Sequence, residues 1–81
     1  MNIKLSEIDN NINFSIVEIR LDLESKRRLN NMGICRNDYY ERQAGNGNGP
    51  IIIRNLSTNS TPIAIGRNLA EGILVSIGMA V

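Results

Sequence analysis

The chain has 81 residues, a length that makes one domain the natural unit and leaves room for only a small core. Nine basic against eight acidic side chains give a formal net charge of +1, and the only aromatics are Phe14, Tyr39 and Tyr40, so both the field and the stacking surface that nucleic acids use are missing. One cysteine and no histidine exclude an intramolecular disulfide, a thiolate metal centre built from one chain and a Cys-His nucleophile.

Ile3, Leu5 and Ile8 predict a short helical turn with Ser6 as its cap, and Asn10-Asn11 predicts a turn. Met1 to Leu5 leads into Ser6 and Glu7 without an extended apolar run, so no signal peptide is expected, and no stretch approaches a membrane span. From Phe14 to Leu21 the residues alternate, which predicts a half-buried strand with Val17, Ile19 and Leu21 on one face and Ile16, Glu18 and Arg20 on the other. Asp22 is placed to cap a helix running to about Met32, with Glu24 in its first turn and Gly33 as the left-handed residue that stops it. Ser25, Leu29 and Met32 share the packed face of that helix, which therefore docks by a narrow edge.

Ile34 returns to the core, Asn37 suits a positive-φ turn, and Asp38 to Gln43 predicts a second strand. The run Gly45-Asn46-Gly47-Asn48-Gly49-Pro50 reads as a flexible hairpin loop into a strand at Ile51-Ile52-Ile53, and Asn55 to Ser60 reads as a turn. Pro62 opens another short strand, Gly66 to Glu71 a helical turn with Leu69 and Ala70 inward, and Ile73, Val75 and Ile77 the closing strand. Short strands at near-regular spacing with one inserted helix predict a mostly β fold, a small barrel. Its expected core is Val17, Ile19, Leu29, Met32, Ile34, Ile52, Ile63, Ile65, Ala70, Ile73 and Val75.

The glycine-rich loop lacks the lysine and Ser/Thr of a nucleotide loop and leads into a strand, so a plain hairpin is expected. The acidic pairs Glu7 with Asp9, Asp22 with Glu24 and Asp38 with Glu41 lack the imidazole partner of a tight ferrous site, and they read as solvated acids and caps; neither a metal site nor a cofactor is expected. Cys35 beside Arg36 reads as a buried or half-buried structural cysteine. The Asn-x-Ser/Thr triplets at Asn13, Asn55 and Asn59 read as polar turn sequence in a chain without secretion. Lys26, Arg27 and Arg28 form the one dense basic cluster, with Arg36 near its end. They make either a solvated helix face, with Glu24 and Arg28 paired one turn apart, or a docking surface for an acidic partner. The apolar tail from Ser76 to Val81 reads as an edge strand or as an exposed association segment.

Several of these pieces, in this order, resemble the ferrous iron transport protein A (FeoA) domain, an SH3-like barrel. They are Arg27-Arg28-Leu29 followed by Met32-Gly33-Ile34, then Gly49-Pro50 ahead of a strand, then Ile63-Ala64-Ile65-Gly66-Arg67 and Ala70-Glu71-Gly72-Ile73-Leu74-Val75. The resemblance spans about Ile3 to Val75, with Asn37 where the family's turn glycine is expected and Gly66 ahead of Arg67. It implies a single-domain, cytoplasmic, non-enzymatic accessory or regulatory protein of bacterial ferrous iron transport that docks on the cytoplasmic part of the membrane transporter FeoB. The contact residues expected here are Arg27, Arg28 and Arg36, with Tyr39 and Tyr40 as aromatic anchors. Homo-oligomerisation through the C-terminal strand is the further partner expected, with no nucleic acid and no membrane insertion. The alternatives are an SH3-like regulatory domain of an iron-dependent transcription repressor, or a small-barrel interaction module.

Overall fold

In a computed structural model, residues 2–36, 38–45, 47–58 and 61–78 are described. The chain order is β1 (Asn2–Lys4), a 3-10 turn (Leu5–Glu7), β2 (Asn13–Ile19), α1 (Leu23–Asn31), β3 (Tyr39–Ala44), β4 (Ile51–Asn55), β5 (Ile63–Ile65), the one-turn α2 (Arg67–Ala70) and β6 (Ile73–Ile77). The strands form one antiparallel six-stranded sheet in the order β1-β6-β2-β3-β4-β5, the small barrel that the strand spacing predicts and the SH3-like form that the resemblance implies.

Two bulges coil the sheet. Ile16 opposes Val75 but Glu18 opposes Leu74, so Val17 is an extra residue in β2; Arg42 opposes Ile53 but Ala44 opposes Ile52, so Gln43 is extra in β3. The first bulge corrects the expected face of β2, because one inserted residue reverses the alternation. Phe14 and Ile16 point inward before it, Ile19 and Leu21 pack against the core after it, and Val17 is left half-buried outside the core.

The core joins Leu5, Ile8, Phe14, Ile16, Leu29, Ile34, Tyr40, Ile51, Ile53, Ile65, Ala70, Ile73 and Val75. Ile52, expected inside, is half-buried: in the unbroken Ile51-Ile52-Ile53 run the parity is set by Arg54 and Asn55, and Asn55 turns inward. Met32 and Ile63 are partly buried and pack against the core, not within it.

At the N-terminus, Ile3 lies in β1 and Ser6 lies within the 3-10 turn, whose preceding residue is Lys4; the Ser6 hydroxyl donates to Glu71 Oε2 at 2.9 Å instead of capping. Lys4 Nζ reaches the same carboxylate oxygen at 3.7 Å, so Glu71, just after α2, ties the barrel's two helical turns together. β6 lies between β1 and β2, with Asn2 opposite Ser76 on one side and Ser15 opposite it on the other. The expected C-terminal edge is therefore corrected: the strand from Ile73 to Ile77 is an inner one, the edges are β1 and β5, and the backbone from Leu74 to Ser76 already pairs with strands on both sides. Ile77 is nevertheless 54% exposed at the end of that strand, and residues 79–81 of the tail lie outside the described residues, as does Asn37.

Candidate docking face

The helix that carries the basic cluster follows from its sequence. Leu23 to Leu29 is a run of mostly good helix formers, Asp22 is extended at the position before it, and the Lys26 amide closes the first turn on the Asp22 carbonyl at 3.0 Å. The Ser25 hydroxyl, assisted by the Ser25 amide and Arg28, holds the exposed Asp22 carboxyl below the ordinary carboxylate range, although no side-chain bond of full capping geometry closes. At the far end Gly33, with φ of +90°, donates to the Asn30 carbonyl and Ile34 donates to the Leu29 carbonyl, each at 3.0 Å. This is a Schellman stop, with Leu29 and Ile34 both buried in the core. A Cβ at Gly33 would meet no atom within 4 Å, so the glycine is required by its backbone angle and not by crowding.

Of the nine residues of α1 only Leu29 is buried, with Ser25 half-buried. Lys26, Arg27 and Arg28 are exposed, and the ion pairs among the described residues are Lys4 with Glu71 and Arg20 with Glu18. The expected pairing of Glu24 with Arg28 is therefore not formed. Arg36 is also exposed, and the Cys35 thiol lies 3.7 Å from the Asn30 side-chain oxygen, which places Arg36 just beyond the last turn of α1. Arg27 and Arg28 are thus exposed on α1 and Arg36 is exposed just beyond its end. Cys35 itself is exposed, contrary to the buried or half-buried position expected for it, because its amide and carbonyl, not its thiol, are the groups turned towards Tyr40.

The two tyrosines part company. Tyr39 is half-buried at the start of β3, where its amide donates to the Ser57 hydroxyl at 3.3 Å and its carbonyl accepts from Leu56 at 2.7 Å. Tyr40 is fully buried, stacked on Phe14 with ring centroids 5.7 Å apart, and this corrects its assignment as a surface anchor. Its hydroxyl accepts from the Cys35 amide at 2.8 Å and lies 3.3 Å from the Gly33 and Cys35 carbonyls, either of which takes its proton. Burial raises its pKa above the ordinary phenol range, so it remains a neutral bolt between β3 and the end of α1. Strand parity reveals the switch, since Tyr40 and Arg42 face inward together.

Arg42 is the important side chain that sequence reading missed. It is 5% exposed, and its guanidinium donates to the carbonyls of Leu5, Ser6 and Ile8, to the Asn10 side-chain oxygen at 3.0 Å and to the Gly45 carbonyl at 2.7 Å. Burial and the nearby Arg67 lower its pKa while Asp9 opposes them. Arg67 Nε donates to the Gly49 carbonyl at 3.2 Å, so two arginines pin the two ends of the glycine-rich loop. Asn55 is buried as well; it accepts from the Ser57 and Thr58 amides at 2.8 and 3.2 Å and donates to Asp38, which builds the turn after β4. Among the described residues no three acidic or cysteine side chains gather as metal ligands, no surface cavity opens, and no helix is long and apolar enough to cross a membrane.

The FeoA domain model matches residues 3–77. Three of the solved structures that share the fold illustrate it. One, described as an iron uptake regulatory protein (FeoA), is 26% identical over 95% of this chain and 99% of its own, with a TM-score of 0.84. A FeoA protein from Chlorobium tepidum is 26% identical, covering 93% of this chain and 70% of its own at a TM-score of 0.78. A FeoA-like protein from Clostridium acetobutylicum is 20% identical, covering 98% and 90% at a TM-score of 0.80, and supports the fold alone. No curated protein matches the chain. With the family model covering almost the whole sequence and the same barrel in its relatives, this chain belongs to the FeoA domain family.

Proposed function

We propose that this protein is a non-catalytic accessory protein of ferrous iron transport, acting in the cytoplasm as a regulatory module that docks on the cytoplasmic nucleotide-binding part of a FeoB-type transporter. Family membership supports the link to iron transport, and the relative at 26% identity is described as an iron uptake regulator. One observation carries the docking: Lys26, Arg27 and Arg28 stand consecutively on an exposed helix without an ion-pair partner among the described residues. Charges left unpaired on a nearly neutral chain steer and orient an acidic partner. Arg27, Arg28 and Arg36 form the charged part of the contact, with Tyr39 at its border. The whole chain, residues 1–81, acts as one domain in this reading.

The reading is tested by ferrous iron uptake in cells lacking the gene. Wild-type protein restores uptake, and the double variant Arg27→Glu/Arg28→Glu, present at wild-type levels, does not. Full restoration by the double variant would place the contact elsewhere.

A further inference from the structure

The outer ridge of α1 carries one side chain that solvation does not account for. Successive helical residues turn by about 100°, which sets Leu23 and Arg27 on the side away from the buried Leu29, with Lys26 and Asn30 beside them. Leu23 is 63% exposed and Ile77 54%, and these are the exposed large apolar side chains among the described residues. A single exposed leucine on a surface is ordinary. This one shares its ridge with cations that have no counter-ion among the described residues.

We infer that the ridge formed by Leu23, Lys26, Arg27 and Asn30 docks an acidic protein segment that sets an apolar side chain against Leu23 and carboxylates against Lys26 and Arg27. The owner of that segment rests on the docking function proposed above; the chemistry of the segment rests on the ridge alone. Charge complementarity selects an acidic occupant, and the single apolar side chain selects a protein over a membrane, because one leucine offers too little area to hold a protein on lipid. A nine-residue helix is about 14 Å long, a length suited to a short segment and a salt-sensitive contact. Leu23 is the anchor and the basic residues set register.

Two titrations test this. In the first, the cytoplasmic part of the transporter is titrated with wild-type protein and with Leu23→Gln, Lys26→Glu and Leu23→Met. Leu23→Gln and Lys26→Glu each weaken binding about tenfold while Leu23→Met stays near wild type, and all three melt like wild type. In the second, a short synthetic peptide with one leucine flanked by glutamates shifts the amide resonances of Leu23, Lys26, Arg27 and Asn30, and does so less with serine in place of its leucine. If the peptide titrates the ridge but the transporter part does not bind, the transporter reading fails and the ridge stands. If Leu23→Gln leaves both titrations unchanged, if wild type binds neither probe, or if the same residues instead attach the protein to phosphatidylglycerol vesicles, the inference is overturned.

Discussion

Arg42 and Arg27 are the same residue type in opposite circumstances. Arg42 is sealed inside the barrel with five neutral acceptors around its guanidinium, whereas Arg27 stands on the outside of α1 without an ion-pair partner among the described residues. A buried charge persists only when hydrogen bonds replace its water, so Arg42 is committed to the fold; an exposed cation keeps its water and is free to exchange it for a partner's carboxylate. Charge counts from composition weigh the two alike. Their surroundings separate structure from interaction.

The contrast is broken most severely at Arg42. Arg42→Met strands carbonyls in the 3-10 turn and at Gly45 and should cost about 3 kcal/mol or more, while Arg27→Met should stay within about 0.5 kcal/mol of wild type; chemical denaturation of both variants measures the gap. Equal stabilities would remove the distinction. Next comes Leu29→Ala, which deletes the sole buried residue of α1 and should cost about 2 to 4 kcal/mol by the same measurement, loosening the docking face from the barrel. Tyr40→Phe keeps the stack on Phe14 but removes the acceptor of the Cys35 amide, and a loss of about 1 kcal/mol in a thermal melt is expected.

The smallest effect concerns acid. The folded-state pKa of Asp22 is lowered, so its contribution is present above the unfolded value of about 3.9 and is lost as pH falls through the folded pKa below that. Stability should be insensitive to Asp22 from neutrality down to about pH 4, and Asp22→Asn should flatten part of the decline at lower pH, read from melting temperature against pH.

Most of the architecture was legible because it depends on local chemistry. The limits of α1 follow from Asp22 and from the αL requirement at Gly33, and the hairpin between β3 and β4 follows from the glycine run. What escaped depended on register. The bulge at Val17 reverses strand parity with no residue that announces it, and the three consecutive isoleucines of β4 carry no alternation to read. Tyr40 and Arg42 share that cause: each looks like a surface residue of an ordinary strand until the sheet is assembled and their even-numbered positions face the core. For the candidate face, Arg27, Arg28 and Arg36 were visible as basic residues, but Leu23 carries no pattern in the sequence that singles it out. Its exposure emerges only once Leu29 fixes the direction of the core.

The central claim is that the unpaired cations of α1 serve a partner and not the fold. Calorimetric titration of the transporter's cytoplasmic part with wild type and with Arg27→Glu/Arg28→Glu, beside thermal melts of both, tests it most directly. The double variant should melt as wild type does, bind at least about tenfold more weakly, and lose most of the salt dependence seen with wild type. Unchanged binding, or lost binding together with a collapsed melting temperature, would contradict it.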